Sequence, residues 1–206
     1  MAFIEKDFNL IENKLKKKII QGSVIPRPVA WVSSLNNDNS INLAPFSYFS
    51  MLSPTMVSVS VLRDSKKHKD TSRNILKNKE AVIHIADISL LKQLDLTSKR
   101  LLENESEVEL ANLALIDSKK VKVSGIKEAK IRLEVILEDH LELKNYEKNE
   151  IEADLLIFRV VYAHISPLVF DENKEYILHE KLKPIARLAG PKYAEIIEIK
   201  DFERKF

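Results

Sequence analysis

The sequence of 206 residues predicts a mainly β protein, built as an antiparallel barrel with a few peripheral helices. Three observations carry this prediction. Val29 to Leu35 and Ile41 to Phe46 are apolar runs on either side of an asparagine-rich turn, as in a hairpin. Met56 to Leu62 alternates valine with serine, which is the period of a half-buried strand. Ala129 to Leu141 and Asp154 to Ser166 are further apolar, β-branched runs that would close an antiparallel barrel.

The first hairpin is the segment around which the rest of the chain is organised. Asn36 to Asn39 tolerate turn and left-handed backbone, so the chain returns as a second strand. Pro45 lacks an N–H group and belongs at an edge or a bulge of a sheet. We therefore expect the ladder to break near Ala44 to Ser47 and to leave backbone donors and acceptors free.

Short polar and aromatic side chains surround this expected break, as suits a flat heterocycle with polar edges. They are Trp31, Ser33, Ser34, Asn42, Phe46, Ser47, Tyr48 and Phe49. For Trp31, Phe46 and Phe49 taken singly, packing in the core is the competing interpretation. Ser58 and Ser60, on the next strand, face either the same groove or the outside of the barrel.

A helix with a basic approach follows these strands. Lys66 to Lys69 precede a capping pair and an amphipathic helix that runs to Asn78. A helix N-terminus offers free N–H groups and a positive dipole end, so Lys69 and Thr71 would suit a phosphate. A plain capped surface helix is the alternative.

The remaining elements are predicted from shorter patterns. Residues 1–18 indicate a short strand and an exposed turn, and Ile88 to Leu102 has helical spacing. Lys120 to Ser124 is expected to be a strand, as is Ala81 to Ala86. His84, on the second of these, is predicted to be a hydrogen-bonded structural histidine because no further metal ligand stands at a supporting spacing.

Composition excludes several classes of protein. The 33 basic and 31 acidic residues leave a net charge of +2, which does not indicate a nucleic-acid-binding protein. The absence of cysteine excludes disulfides and thiolate metal sites, so redox chemistry needs a bound cofactor. Three glycines are too few for a glycine-rich nucleotide loop. We find no secretory signal and no apolar run of membrane length, and expect a single domain over residues 1–206 in the cytoplasm, without a membrane partner.

Three motifs together resemble a known family. They are P-R-P-x-A-W-V-S-S from Pro26, N-L-A-P-F-S-Y-F from Asn42, and K-D-T-S-R-N-I from Lys69. In this order they resemble the flavin reductase-like FMN-binding split-barrel family, and its flavoredoxin group in particular. The likeness extends over roughly residues 19–194, most of the chain.

The resemblance implies an FMN-binding antiparallel split barrel of Greek-key type that works as a homodimer. It implies noncovalent FMN, NAD(P)H and a small electron acceptor as partners, no metal, and no side chain acting as a catalytic acid or base. The cofactor-binding residues that it implies are Arg27, Trp31, Val32, Ser33, Ser34, Asn42, Leu43, Ala44, Pro45, Phe46, Ser47, Lys69, Asp70, Thr71 and Asn74.

Some of these implications compete with others. Arg27 would reach the phosphate or ribityl chain, or would be a surface residue between two prolines. The tail with Arg187, Gly190, Pro191 and Tyr193 would lie near the flavin or at the dimer contact. The alternative to an FMN-dependent oxidoreductase is a non-catalytic FMN-binding or electron-transfer module. A third hypothesis is a split barrel that no longer binds flavin. It is disfavoured because all three motifs are present.

Overall fold

A computed structural model describes residues 2–64, 66–99, 101, 105–145, 147, 149–200 and 202. Its helices are α1 (Asn13–Ser23), α2 (Asp70–Asn78), α3 (Leu91–Leu96), α4 (Glu107–Leu110) and α5 (His179–Leu182), with 3₁₀ turns at Ile88–Leu90 and Pro167–Val169. Its strands are β1 (Arg27–Pro28), β2 (Ala30–Leu35), β3 (Ile41–Phe46), β4 (Phe49–Ser53), β5 (Met56–Leu62), β6 (Glu80–Ile85), β7 (Leu115–Ile116), β8 (Gly125–Ile126), β9 (Ile131–Lys144), β10 (Ile151–Ile165), β11 (Phe170–Asp171), β12 (Tyr176–Ile177), β13 (Ala186–Arg187) and β14 (Tyr193–Ala194).

Seven antiparallel strands form the main sheet in the order β3-β2-β6-β9-β10-β5-β4. A small sheet, β1-β13-β14, pairs the tail with the start of the chain, and β7-β8 and β11-β12 are short two-stranded ladders. In the part of the chain that the structure describes, no helix has the length and apolar character needed to span a bilayer.

The connection between β3 and β4 closes the sheet into a barrel. These two strands are the opposite ends of the sheet, yet only Ser47 and Tyr48 join them. Three Cα steps reach at most about 11 Å, so the two ends must lie side by side. The β3 strand also contacts β5. The barrel is therefore split between β3 and β4, where the ladder does not continue.

Two apolar clusters lie on the two faces of the curved sheet. The cluster inside the barrel includes Val32, Val59 and Phe158, each at most 1% exposed. The cluster outside it includes Trp31 and Leu43, packed under α3 and α4. Neighbouring residues of β2 thus enter different clusters because side chains alternate along a strand.

The strands predicted from periodicity are confirmed in β2, β3, β5, β6, β9 and β10. Pro45 lies on an edge strand, as expected. The break was expected near Ala44 to Ser47, and it comes in the later part of that range, because β3 pairs with β2 through Phe46 opposite Ala30. An edge strand needs ladder hydrogen bonds on one side only, so a proline can stay paired with its nitrogen facing outward. The pairing ends after Phe46.

Two predicted strands are wrong. Residues 2–12 contain no strand, and the basic run that follows is helix α1, none of whose residues is buried. Lys120 to Ser124 is an irregular bend. Its backbone N–H groups are used differently, since those of Lys120 and Val121 donate to the Glu134 carboxylate at 2.6 and 3.2 Å.

The helix predictions hold with shorter bounds. The α2 helix ends at Asn78 as predicted, but its N-cap is Lys69, and no side chain caps it. The spacing at Ile88 to Leu102 gives a 3₁₀ turn and then α3, which ends at Leu96. Residues 100 and 102 of that prediction lie outside the described part of the chain.

Candidate functional site

A cavity of about 240 Å³ opens at the split of the barrel. The residues that line it come from α1, the small sheet, the β3–β4 connection, β5 and the approach to α2. They are Lys17, Gln21, Arg27, Pro45, Phe46, Ser47, Tyr48, Ser60, Leu62, Lys69, Arg187, Leu188 and Gly190.

The cavity is strongly cationic. Four of its lining residues, Lys17, Arg27, Lys69 and Arg187, carry a positive charge, and none of the described lining residues is acidic. The whole chain has 31 acidic residues and a net charge of only +2, so the positive charge of this cavity is a local feature. Four cations in one concave surface attract an anion.

Arg27 shapes one wall of the cavity. Its side chain is buried, and its guanidinium donates to the backbone carbonyls of Gln21 and Leu188, each at 2.9 Å. These bonds join the end of α1 to the tail. The Nε of Arg27 is buried without a hydrogen-bond partner among the described residues. A buried donor without an acceptor is costly, so this atom lacks an acceptor that the described residues do not supply.

Arg187 is held by an aromatic face. Its guanidinium carbon lies 4.3 Å from the centroid of the Tyr193 ring, a cation–π geometry. Burial raises the pKa of the Tyr193 hydroxyl above its usual range, although Arg187 acts in the opposite direction. Tyr193 is therefore a neutral, half-buried platform that holds the arginine at the cavity.

The N-terminus of α2 stands beside Lys69. The first backbone bond of the helix runs from the Arg73 N–H to the Lys69 carbonyl at 2.9 Å, so the N–H groups of residues 70–72 precede the ladder. Asp70 is exposed and pairs with Arg73 at 2.6 Å. Ser72 is fully buried, and its Oγ has no partner among the described residues. Free donors and a cation at one helix end suit an anion.

Behind this helix end, four of the predicted residues form one buried polar network. The Asn42 amide donates to Thr71 Oγ1 at 2.9 Å and to Ser34 Oγ at 3.2 Å. The Asn74 amide also donates to Ser34 Oγ, at 3.2 Å. The network fixes α2 against β2 and β3, because breaking it would leave buried polar groups unpaired.

The predicted residues fall into two groups. Arg27, Pro45, Phe46, Ser47 and Lys69 line the cavity. The others do not line it. Asp70 lies at the surface, Ser34, Asn42, Thr71 and Asn74 are in the network behind it, Val32 and Ala44 pack at the barrel core, and Trp31, Ser33 and Leu43 lie on its outer side.

Trp31 is packed in the protein interior and does not line the cavity. Its indole Nε1 donates to Thr97 Oγ1 at 2.8 Å, and the ring is fully buried. Its carbonyl accepts a hydrogen bond from His84 Nδ1 at 2.7 Å, while His84 Nε2 accepts the Ile126 N–H at 2.8 Å. Burial lowers the pKa of His84 to about 4, although the Trp31 carbonyl acts to raise it. The prediction of a hydrogen-bonded structural histidine is confirmed.

Sequence reasoning missed several lining residues. Lys17 and Gln21 were missed because α1 was not predicted, and Gln21 donates to the Tyr48 hydroxyl at 2.7 Å. Ser60 lines the cavity, whereas Ser58 is buried at the position where β5 pairs with Ser50 of β4. Leu188 and Gly190 lie in the tail that the family resemblance had placed near the flavin or at the dimer contact.

The chemistry of these donors fits FMN. A phosphate dianion suits Lys69 with the open end of α2, and the buried Arg27 Nε and Ser72 Oγ are donors in need of an acceptor. Phe46 and Tyr48 supply aromatic surface at the split. The volume of about 240 Å³ is below the range of pockets that enclose a whole ligand of this size, so a flavin bound here would keep part of its surface exposed.

The chain is similar over most of its length to a curated bacterial protein and to a solved crystal structure. It is 42% identical over 183 residues to uncharacterized protein YwrF of Bacillus subtilis, covering 88% of this chain and 89% of that protein. The crystal structure of nitrilotriacetate monooxygenase component B from Bacillus cereus superposes with a TM-score of 0.93 at 41% identity, covering 98% of this chain and 100% of that one.

Two further structures share the fold. The 2-nitrobenzoate 2-nitroreductase NbaA of Pseudomonas fluorescens has a TM-score of 0.87 at 25% identity, over 98% of this chain and 96% of that one. A protein with a split barrel domain from Shewanella frigidimarina has a TM-score of 0.82 at 17% identity, over the full length of both chains. The second likeness shows the split-barrel fold.

The flavin reductase like domain model matches residues 22–179. This range includes the split, α2 and the whole seven-stranded sheet. The chain therefore belongs to the flavin reductase like domain family.

Proposed function

We propose that the protein is an FMN-dependent oxidoreductase that passes a hydride or electrons from NAD(P)H to a small acceptor. The observation that carries the proposal is the cationic cavity at the split, with Lys69 and the open end of α2 at one side. The family, and the similarity to a monooxygenase component and a nitroreductase, support the same reaction class. When bound, FMN would supply the redox chemistry, since it accepts a hydride and releases electrons singly or in pairs.

The residues of the chain would have binding roles. Lys69 and the N–H groups at the start of α2 would hold the phosphate. The buried network of Ser34, Asn42, Thr71 and Asn74 would keep α2 in place, since these side chains already satisfy one another. The backbone from Pro45 to Ser47 would border the ring. No side chain is assigned as an acid or a base.

The remaining cations favour a second anionic reactant. A phosphate of nearly two negative charges balances about two of the four cations that line the cavity. Arg187 and Lys17 belong to the tail and α1, apart from the helix end that takes the phosphate in this proposal. The nicotinamide dinucleotide, which carries a diphosphate, would meet the cofactor from that side.

Titration with FMN and riboflavin tests the binding assignment. Lys69→Ala should weaken FMN by about tenfold, which is about 1.4 kcal/mol, and leave riboflavin unchanged. Lys77→Ala is the matched control, because it removes the same charge at the other end of α2. The double change with Thr71→Ala should weaken FMN further, but it also removes the acceptor of the Asn42 amide. Equal FMN affinities in Lys69→Ala and wild type would contradict the assignment.

Steady-state oxidation of NADH and NADPH tests the activity. Free FMN, ferric complexes, quinones and nitroaromatic carboxylates should be compared as acceptors. An oxidoreductase turns over with at least one of them. Tight FMN binding without reduction by either dinucleotide would favour the alternative, a binding or electron-transfer module.

A homodimer remains part of the proposal. The N-terminal segment exposes Phe3, Ile4 and Leu10 at 84% or more, and the edge strand β4 exposes Met51 at 70%. Exposed apolar side chains and an uncovered sheet edge are both unfavourable in water, and a symmetric copy would cover them. The tail from Arg187 to Tyr193 would contribute to this contact. We expect the dimer to work in the cytoplasm.

A further inference from the structure

The approach to α2 is anchored on a buried carboxylate. Asp154, on β10, has a fully buried side chain. Its oxygens accept hydrogen bonds from Arg63 Nη2 at 2.8 Å, His68 Nδ1 at 2.9 Å and His140 Nε2 at 3.0 Å. Burial alone would raise the pKa of Asp154, but these hydrogen bonds outweigh it and hold the pKa below its usual range. The carboxylate is thus ionised at neutral pH.

The charge at the centre of this cluster comes from Arg63. The ligand-type atoms of His68, Glu142 and Asp154 lie within 4.8 Å of one another, a spacing that suits a metal ion. However, Arg63 Nη2 contacts all three, with Glu142 Oε1 at 2.6 Å and His68 Nε2 at 3.4 Å. The guanidinium takes the position of a cation, so these side chains form one ion network around Arg63.

This network fixes the segment between β5 and α2 at both ends. At the β5 end, Arg63 binds Asp154, and its N–H donates to the Glu152 carbonyl at 2.8 Å. The turn is closed by two backbone bonds between Asp64 and Lys67. At the α2 end the only side chain between this turn and Lys69 is His68, and its ring reaches Asp154. The His68 side chain therefore attaches the chain to the barrel at the position directly before Lys69.

His140 makes the same kind of bond from a different place. It donates to the same carboxylate, but it lies within β9, where the ladder with β10 pairs His140 with Leu156. Removing His140 deletes one hydrogen bond to Asp154 and leaves the approach to α2 attached. A comparison of the His68 and His140 variants therefore distinguishes an effect on the stability of the cluster from an effect on the position of the segment before α2.

We propose that His68 is a positioning residue for the anion at the start of α2: by binding Asp154 it holds Lys69 and the adjoining helix N–H groups in place for the cofactor phosphate. The inference rests on the proposed function, since it assumes that FMN binds there. Holding the donors in advance removes an ordering cost from binding. Without His68, the three lysines Lys66, Lys67 and Lys69 repel one another with one attachment fewer.

The test is a titration of four proteins with FMN and with riboflavin. His68→Ala should weaken FMN by about five- to tenfold, the size of one ordinary hydrogen bond, and leave riboflavin within about twofold. His68→Asn should restore most of the FMN affinity, because its amide can donate near the position of Nδ1. His140→Ala should leave the ratio of the two affinities unchanged. A general loss of structure would weaken both ligands together and would not be repaired by asparagine.

The outcomes separate the inference from the proposal beneath it. If wild type binds FMN no better than riboflavin, the phosphate assignment fails, and His68 has nothing to position. If wild type prefers FMN but His68→Ala keeps the preference, the inference is wrong while the proposed function stands. An equal loss in His140→Ala and His68→Ala would also overturn it, since the cluster would then act through stability alone.

Discussion

Glu134→Gln should destabilise the protein strongly, because one buried carboxylate organises the bend that replaced a predicted strand. Glu134, on β9, is fully buried. Its Oε1 accepts from the Lys119 N–H at 2.7 Å and from His164 Nε2 at 2.6 Å. Its Oε2 accepts from the Lys120 N–H at 2.6 Å and the Val121 N–H at 3.2 Å. The side chain therefore holds a loop and a strand at once.

The magnitude follows from counting these donors. A glutamine keeps one acceptor oxygen, and the better arrangement places it at Oε2, where two N–H groups point. His164 can then accept from the new amide by changing its tautomer, but the Lys119 N–H loses its acceptor. The unpaired N–H costs about 1–3 kcal/mol, and the remaining bonds weaken from charged to neutral. Because Lys119 is near the surface, water limits the loss, and we expect about 3 kcal/mol in total.

Urea and thermal unfolding measure this effect. For a chain of this size, about 3 kcal/mol corresponds to a fall in melting temperature of roughly 6–12 °C. Glu138→Gln is the control, because Glu138 lies on the same strand and binds Arg159 at 2.8 Å, but is exposed. Its melting temperature should stay at the wild-type value, as for most surface ion pairs.

The difference between wild type and Glu134→Gln should depend on pH. Burial alone would raise the pKa of Glu134, but the hydrogen bonds from Lys119, His164, Lys120 and Val121 hold it below its usual range. The stability that the carboxylate contributes is therefore complete above the unfolded pKa of about 4.3 and is lost as the pH falls through the lower folded pKa. A difference below about 1 kcal/mol at pH 7, or one that grows on acidification, would refute this reasoning.

Two further predictions concern packing and assembly. Gly125→Ala should cost about 1–3 kcal/mol in urea unfolding, because the new Cβ would lie 2.9 Å from Arg132 Cδ and 3.3 Å from His84 Nε2. Gly22→Ala, which meets nothing within 4 Å, should cause no loss, and equal behaviour of the two variants would contradict the packing argument. Light scattering of the FMN-loaded protein at micromolar concentration should give about twice 23.7 kDa. A species near 24 kDa with full FMN occupancy would show that the site needs no second copy.

The sequence alone determined the strands of the barrel and the α2 helix beside the cavity. Val57, Val59 and Val61 alternate with serines, and this period allows one structure in which the valines face a core. Asn39 takes the left-handed backbone at the hairpin, with φ of 67°. The α2 helix and its end at Asn78 also followed from local pattern. In each case the decisive interactions lie within a few residues of one another.

Tertiary structure decided what the periodicity could not. Lys120 to Ser124 has a strand-like sequence, but the carboxylate of a distant glutamate takes its N–H groups, so no ladder can form there. The α1 helix buries no residue, so no packing against the core marks it. Motif residues such as Trp31 and Leu43 turned to the outer side of the barrel because strand register, rather than residue type, sets the face on which a side chain lies.

The cavity itself depends on contacts that are distant along the chain. Lys17 and Arg187 are separated by most of the sequence, yet both line it with Lys69. They meet because the tail pairs as β13 with β1, and because Arg27 joins the end of α1 to Leu188. A sequence pattern reports which residues are cationic or apolar. Only closure of the sheet between β3 and β4 decides which of them share one cavity, because closure brings together positions that no local period relates.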